Sequence, residues 1–221
     1  MTFQRMGGIA GLVCAATYIF GFIVLVTTLA PLGFGTNTID AGAVVDLIRT
    51  QPGVLILFNT VIYIVNALAL AVLVTALHVR LKPGAPSAAR LTLVLGTIWC
   101  TLVLGAGMIA NVATERAAQL AATDFDQAVA FWRMLHEVEH GLGGGNEIAG
   151  GAWIASVSVL GMVGRNLAKI TGALGALTGV AGLVTLVPAL GETAGAVFGL
   201  GAIAWFIAVG IELMVSRGDN R

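Results

Sequence analysis

Charge is what this sequence has least of. Asp, Glu, Lys and Arg make up 10% of its 221 residues, against 58% hydrophobic. A soluble domain carries about a quarter charged residues, so this chain cannot cover its surface with groups that suit water. A mean hydropathy of +0.97 agrees, and lipid is the expected solvent for most of the chain. The 11 basic and 11 acidic residues cancel, which leaves no cationic footprint for nucleic acid. Cysteine is nearly missing: Cys14 and Cys100 sit inside apolar runs without a CxxC and read as small hydrophobes, not as a disulfide or metal site. Three histidines are too few for a two-haem cytochrome. There is no P-loop and no G-x-S-x-G elbow, and no long polar segment to act as a kinase or DNA-binding output.

What is there is a series of apolar runs. Six spans are expected at about 8–30, 53–79, 91–113, 146–163, 170–190 and 194–215, each near the roughly 20 residues that cross a hydrocarbon core. The first follows Arg5, is longer than a signal-peptide core, and meets Pro31 where a cleaved chain would begin; it reads as a retained membrane helix. The expected fold is therefore an all-α integral membrane bundle, a single domain over 1–221. Between the first two spans, Asp40 is placed to cap a short helix whose Val44, Leu47 and Ile48 would lie flat on the membrane interface.

Lysine and arginine divide unevenly between the loops. The N-terminus, the 2–3 connector, the 4–5 turn and the tail carry Arg5, Arg80, Lys82, Arg90, Arg165, Lys169, Arg217 and Arg221; the other loops carry Arg49, Arg116 and Arg133. That bias puts both termini in the cytoplasm of a bacterial-type plasma membrane. The opposite face is acidic, with Asp40, Asp46, Glu115, Asp124, Asp126, Glu137, Glu139, Glu147 and Glu192. Glycines recur on the fifth span (Gly172, Gly175, Gly179, Gly182) and into the sixth (Gly191, Gly195, Gly199). Small residues at such spacing let helices approach closely in lipid, either within the bundle or between copies in a homo-oligomer.

The segment 123–153 interrupts the apolar pattern. From Asp126 the residues Ala128, Phe131, Leu135, Val138 and Leu142 form an apolar stripe, opposite Asp126, Arg133, His136, Glu137 and His140. With Thr123 or Asp124 as N-cap, this is an amphipathic helix at the outer membrane surface, ahead of the fourth span. Residues 136–140 read HEVEH, which fits H-E-x-x-H and its inverse. Histidines at i and i+4 share a helix face and can hold one zinc, with Glu137 as base in the first pattern and Glu139 in the second. A third ligand must come from an outer carboxylate, Glu147, Glu192, Glu115, Asp40 or Asp46. Glu147, seven residues past His140, shares its face only if a helix runs on through Gly141, Gly143, Gly144 and Gly145. A second set, Asn59, Tyr63 and Asn66, forms a polar line at helical spacing on the second span, where it lines a path or pocket or bonds between helices.

The opening Arg5-Met-Gly-Gly-Ile-Ala-Gly-Leu, Leu135-His136 ahead of the fourth span, the turn Gly164-Arg-Asn-Leu, the following LGALTGVAGL and Trp205 in the last span carry a resemblance. The pattern resembles a bacterial family of small six-span membrane proteins of unknown function, DUF4386-like, over most of the chain. The resemblance implies an integral membrane protein and brings no activity. Two functions stay open: non-enzymatic binding or passage of a small molecule, or an outward-facing metal site or metal-dependent hydrolase built on HEVEH.

Overall fold

Capping residues and prolines set the helix ends. Thr2 accepts from the Arg5 backbone N–H to start α1 (Phe3–Val24), which runs on through a π-helical turn (Leu25–Leu29) and a 3-10 turn (Ala30–Leu32) until Gly33 reverses the chain at φ 83°. Asp40 accepts from the Ala43 N–H at 3.0 Å and starts α2 (Ala41–Thr50). Pro52 opens α3 (Pro52–Asn59), which passes through a second π-helical turn (Thr60–Val65) into α4 (Asn66–Leu81). Pro86 opens α5 (Pro86–Leu120), where its missing N–H costs nothing. Asp124 caps α6 (Phe125–Glu139) through the Gln127 N–H at 2.9 Å. A third π-helical turn (His140–Gly144), broken at Gly143 with φ 139°, separates α6 from α7 (Ile148–Val163). Then come α8 (Lys169–Val184) and α9 (Gly191–Val215). This computed structural model describes residues 2–34, 36, 38–144 and 147–215, and among them it is all-α without a strand. Asn146, where the fourth span was expected to begin, and Arg217 and Arg221 of the tail lie outside the described residues.

Among the described residues, five stretches are long and apolar enough to cross a membrane: Phe3–Leu32, Pro52–Leu81, Pro86–Leu120, the α6-and-α7 stretch Phe125–Val163, and Pro188–Val215. Expected spans and observed helices differ most at the ends of two helices. The helix expected over 170–190 stops at Val184, because the Thr185 hydroxyl bonds the Gly182 carbonyl at 2.6 Å and Pro188 cannot continue the ladder. The helix expected over 91–113 is 35 residues long, running to Leu120; its projecting end buries Ala113 and Ala117 beneath α2 and α6.

Six helices close a ring: α1 packs on α4 and α9, α4 on α5, α5 on α7, α7 on α8, and α8 on α9. Glycine makes three of these crossings close. A Cβ on Gly11 would lie 3.1 Å from the Phe206 carbonyl, and one on Gly8 2.6 Å from the Gly210 carbonyl, so α1 and α9 meet backbone to backbone. On α8, Gly172, Gly175, Gly179 and Gly182 all face side chains or backbone of α7 and α9. That face is occupied within the chain. An aromatic cluster fills the centre of the ring, with Trp153 against Trp205 at 5.5 Å and Trp99 stacked on Phe206 at 6.3 Å.

The ring has two different ends. At one, Arg80 donates to the Asn166 carbonyl (2.6 Å) and to Glu212 (3.4 Å), and Glu212 accepts from the Ala168 N–H (2.9 Å). These bonds tie α4, the α7–α8 turn and α9 beside the start of α1, where Gln4 donates to the Ala76 carbonyl at 3.1 Å. At the other end, α2 and α6 pack over the end of α5 around a second core of Val44, Val45, Ile48, Phe58 and Trp132. The α2 expectation is corrected here. Val44 and Ile48 are fully buried against protein and do not lie on a bare interface, because the long α5 supplies a wall for them.

Candidate functional site

Between the two cores lies a cavity of about 700 Å³, continuing into a deeper lobe of about 220 Å³. All three π-helical turns border it: Leu25 from the first, Ile62 and Tyr63 from the second, His140 and Gly143 from the third. A π-helical turn inserts one residue into the helical repeat and is common at functional sites. The outer lobe reaches the loops through Thr36, Pro188 and Glu192, while the inner lobe ends among Tyr18, Asn66, Trp99 and Val103. Phe22, Phe58, Ile62, Tyr63 and Glu147 line both.

One polar chain crosses the outer lobe. The Tyr63 hydroxyl donates to Glu139 Oε1 at 2.5 Å, and Glu139 Oε2 meets His136 Nδ1 at 3.0 Å. Glu139 is only 4% exposed, so these partners answer the cost of burying its carboxylate. In that contact His136 donates through Nδ1–H and the carboxylate accepts. The ring is held flat on Trp132, centroids 4.8 Å apart at 10°, with His140 edge-on at 5.7 Å and Phe34 beside it at 5.9 Å. The π-helical turn that carries Tyr63 is tied to α5 by Asn111, which donates to Thr60 Oγ1 at 3.1 Å.

The expected apolar stripe of α6 is inward only in part: Ala128 is buried and Phe131, Leu135 and Leu142 half-buried, but Val138 is exposed, while Trp132 and Glu139 are buried and His136 half-buried. Trp132 is the large anchor on the side read as polar, and burying it turns the helix so that His136 and Glu139 face inward. Glu137, one residue on and so about 100° around the helix, is exposed and lines neither lobe. The glutamate that joins a histidine is Glu139.

His136, His140 and Glu147 all border the outer lobe. Among the described residues, however, no three His, Cys, Asp or Glu side chains stand close enough to hold one metal ion. Asn59, Tyr63 and Asn66 follow one wall downward, Asn59 on the outer lobe and Asn66 on the inner. Asn66 is fully buried and donates to Thr17 Oγ1 at 2.7 Å. The aromatic wall of Tyr18, Phe22, Phe58 and Trp99 escaped the sequence reading. Those residues stand on three helices, α1, α3 and α5, within largely apolar runs, and nothing local marks them. The Trp132–His136–Glu139 face was legible in principle, because spacings of four and three place all three on one side of a helix. No protein-family model, curated protein or solved structure matches this chain, and its function rests on the site.

Proposed function

We propose that this chain is a six-span protein of a bacterial-type plasma membrane, both termini cytoplasmic, which binds or passes a small molecule through an outward-facing cavity without chemical transformation. The observation that carries the reading is the cavity itself: it opens at the acidic end, at the level of three π-helical turns, and closes before the basic end. Its volume suits a small organic molecule, and its walls mix apolar surface with a few placed polar groups, as ligand sites do. Below it the aromatic cluster and the Arg80–Glu212 tie seal the ring. In this reading α8 is the sixth crossing. Its 16 residues reach about 24 Å, and the apolar Leu186, Val187 and Leu190 extend it toward the surface.

Thiol labelling tests the accessibility this requires. In a Cys100→Ala background, Ala196→Cys places a thiol on the outer-lobe wall. A membrane-impermeant maleimide added outside intact cells is expected to label it. Labelling only after the membrane is breached would remove the outward-facing site.

A further inference from the structure

The outward-facing cavity, on which this inference rests, has a chemistry of its own. Glu139, Glu147 and Glu192 line its outer lobe, and no lysine or arginine among the described residues lines either lobe. An anion placed there would meet three carboxylates, with His136 and His140 as the basic groups among the described lining residues. An inorganic divalent cation needs several ligands converging on one point, and among the described residues no such group exists.

The three carboxylates are not equivalent. Glu139 is already engaged by Tyr63 and His136. Glu147 stands at the junction of the two lobes and is the one glutamate that lines both. Its backbone N–H donates to Thr185 Oγ1 at 3.1 Å, while its carboxylate makes no hydrogen bond or ion pair with a described residue. Directly inward are the rings of Tyr18, Phe22, Phe58 and Trp99. A carboxylate at the rim of an aromatic chamber offers a charge-assisted acceptor to N–H donors and ring faces to a positive charge.

We propose that the cavity binds an organic ammonium ion, its amine held by the Glu147 carboxylate and its apolar body in the inner lobe against Tyr18, Phe22, Phe58 and Trp99. The apolar body selects against small hydrated cations, and the carboxylate selects against neutral and anionic molecules of the same shape.

The test is calorimetric titration of the full chain in lipid nanodiscs at neutral pH. The probes are 2-phenylethylammonium, the neutral 2-phenylethanol and the anionic 3-phenylpropanoate. The expected order is ammonium first by about tenfold or more, with that preference lost in Glu147→Gln and kept in Glu137→Gln. Equal binding of ammonium and alcohol, or tighter binding of the carboxylate, would overturn the cation proposal and leave the cavity reading standing. Binding of none of the three to protein whose Ala196→Cys form labels from outside would do the same. Failure of that labelling would remove the cavity reading itself. The three-probe comparison on the unsubstituted protein decides the matter even where Glu147→Gln does not accumulate.

Discussion

Tyr63 and Glu139 stand 76 positions apart and meet at 2.5 Å. Neither residue alone announces the contact. A glutamate in HEVEH suggested a base beside zinc, and a tyrosine on an apolar span suggested a polar line. Burial joins them, since a carboxylate enclosed by Trp132 and the α5 wall needs hydrogen-bond donors to stay there. A double-mutant cycle measures the pair. Tyr63→Phe is expected to lower stability by about 1–3 kcal/mol, as loss of a hydrogen bond to a charged group does. Glu139→Gln in that background should cost less than in the parent, giving a coupling of about 1 kcal/mol or more in detergent unfolding. Strictly additive losses would mean that the two side chains do not act as a pair. At this scale the sequence pointed to the segment, since His136 and Glu139 both lie inside HEVEH. It could not rank Glu137 against Glu139, because that choice follows from which way Trp132 turns the helix.

Helix interiors were legible and helix ends less so. Apolar runs and bounding prolines brought α1, the α3–α4 stretch, α7 and α9 close to their observed ranges. They left α5 too short, because its projecting turns carry Glu115 and Arg116 and read as loop until α2 and α6 are packed on them. Glycine spacing on α8 said that a close partner exists without naming it. In the structure, a Cβ on Gly151 of α7 would lie 2.7 Å from the Gly179 carbonyl and 2.9 Å from Gly182 of α8. Backbone cannot swing aside as a side chain can. Gly151→Val is therefore expected to force α7 and α8 apart and lower stability by about 1–3 kcal/mol or more. Gly105→Ala on α5, with no atom within 4 Å of its Cβ, should be neutral or slightly stabilising through helix propensity. Thermal unfolding of both variants in one detergent makes the comparison, and equal behaviour would count against the crossing as described.

Across the whole molecule, charge marks the two ends and apolar side chains cover the flanks. Leu68, Ile98, Val159, Leu177 and Leu200 are exposed on five different helices, an arrangement that water would not tolerate and lipid would. The proposed topology assigns sides to the loops, and single-cysteine labelling in intact cells reads them. Asp126→Cys and Glu192→Cys are expected to react with an impermeant reagent from outside. Ser87→Cys and Asn166→Cys should react only after permeabilisation. The Asn166 and Glu192 positions flank α8, so labelling of both from one side would show that the short helix does not cross.

Composition by itself determined that this chain belongs in a non-aqueous solvent and is helical, because in lipid a continuous helix satisfies its own backbone. The uneven basic residues determined a difference between its ends. Only the tertiary structure decided where the site is. A cavity is a relation among helices distant in sequence, and the rings of Tyr18, Phe22, Phe58 and Trp99 carry no local signature of facing one another. The same holds for Glu147, which the sequence offered as a third ligand beside His136 and His140 and not as the rim of an aromatic chamber. The folded ring sets it between two lobes, with an aromatic wall on one side and no lysine or arginine among the described residues lining either, and that placement is the physical reason for its assigned role.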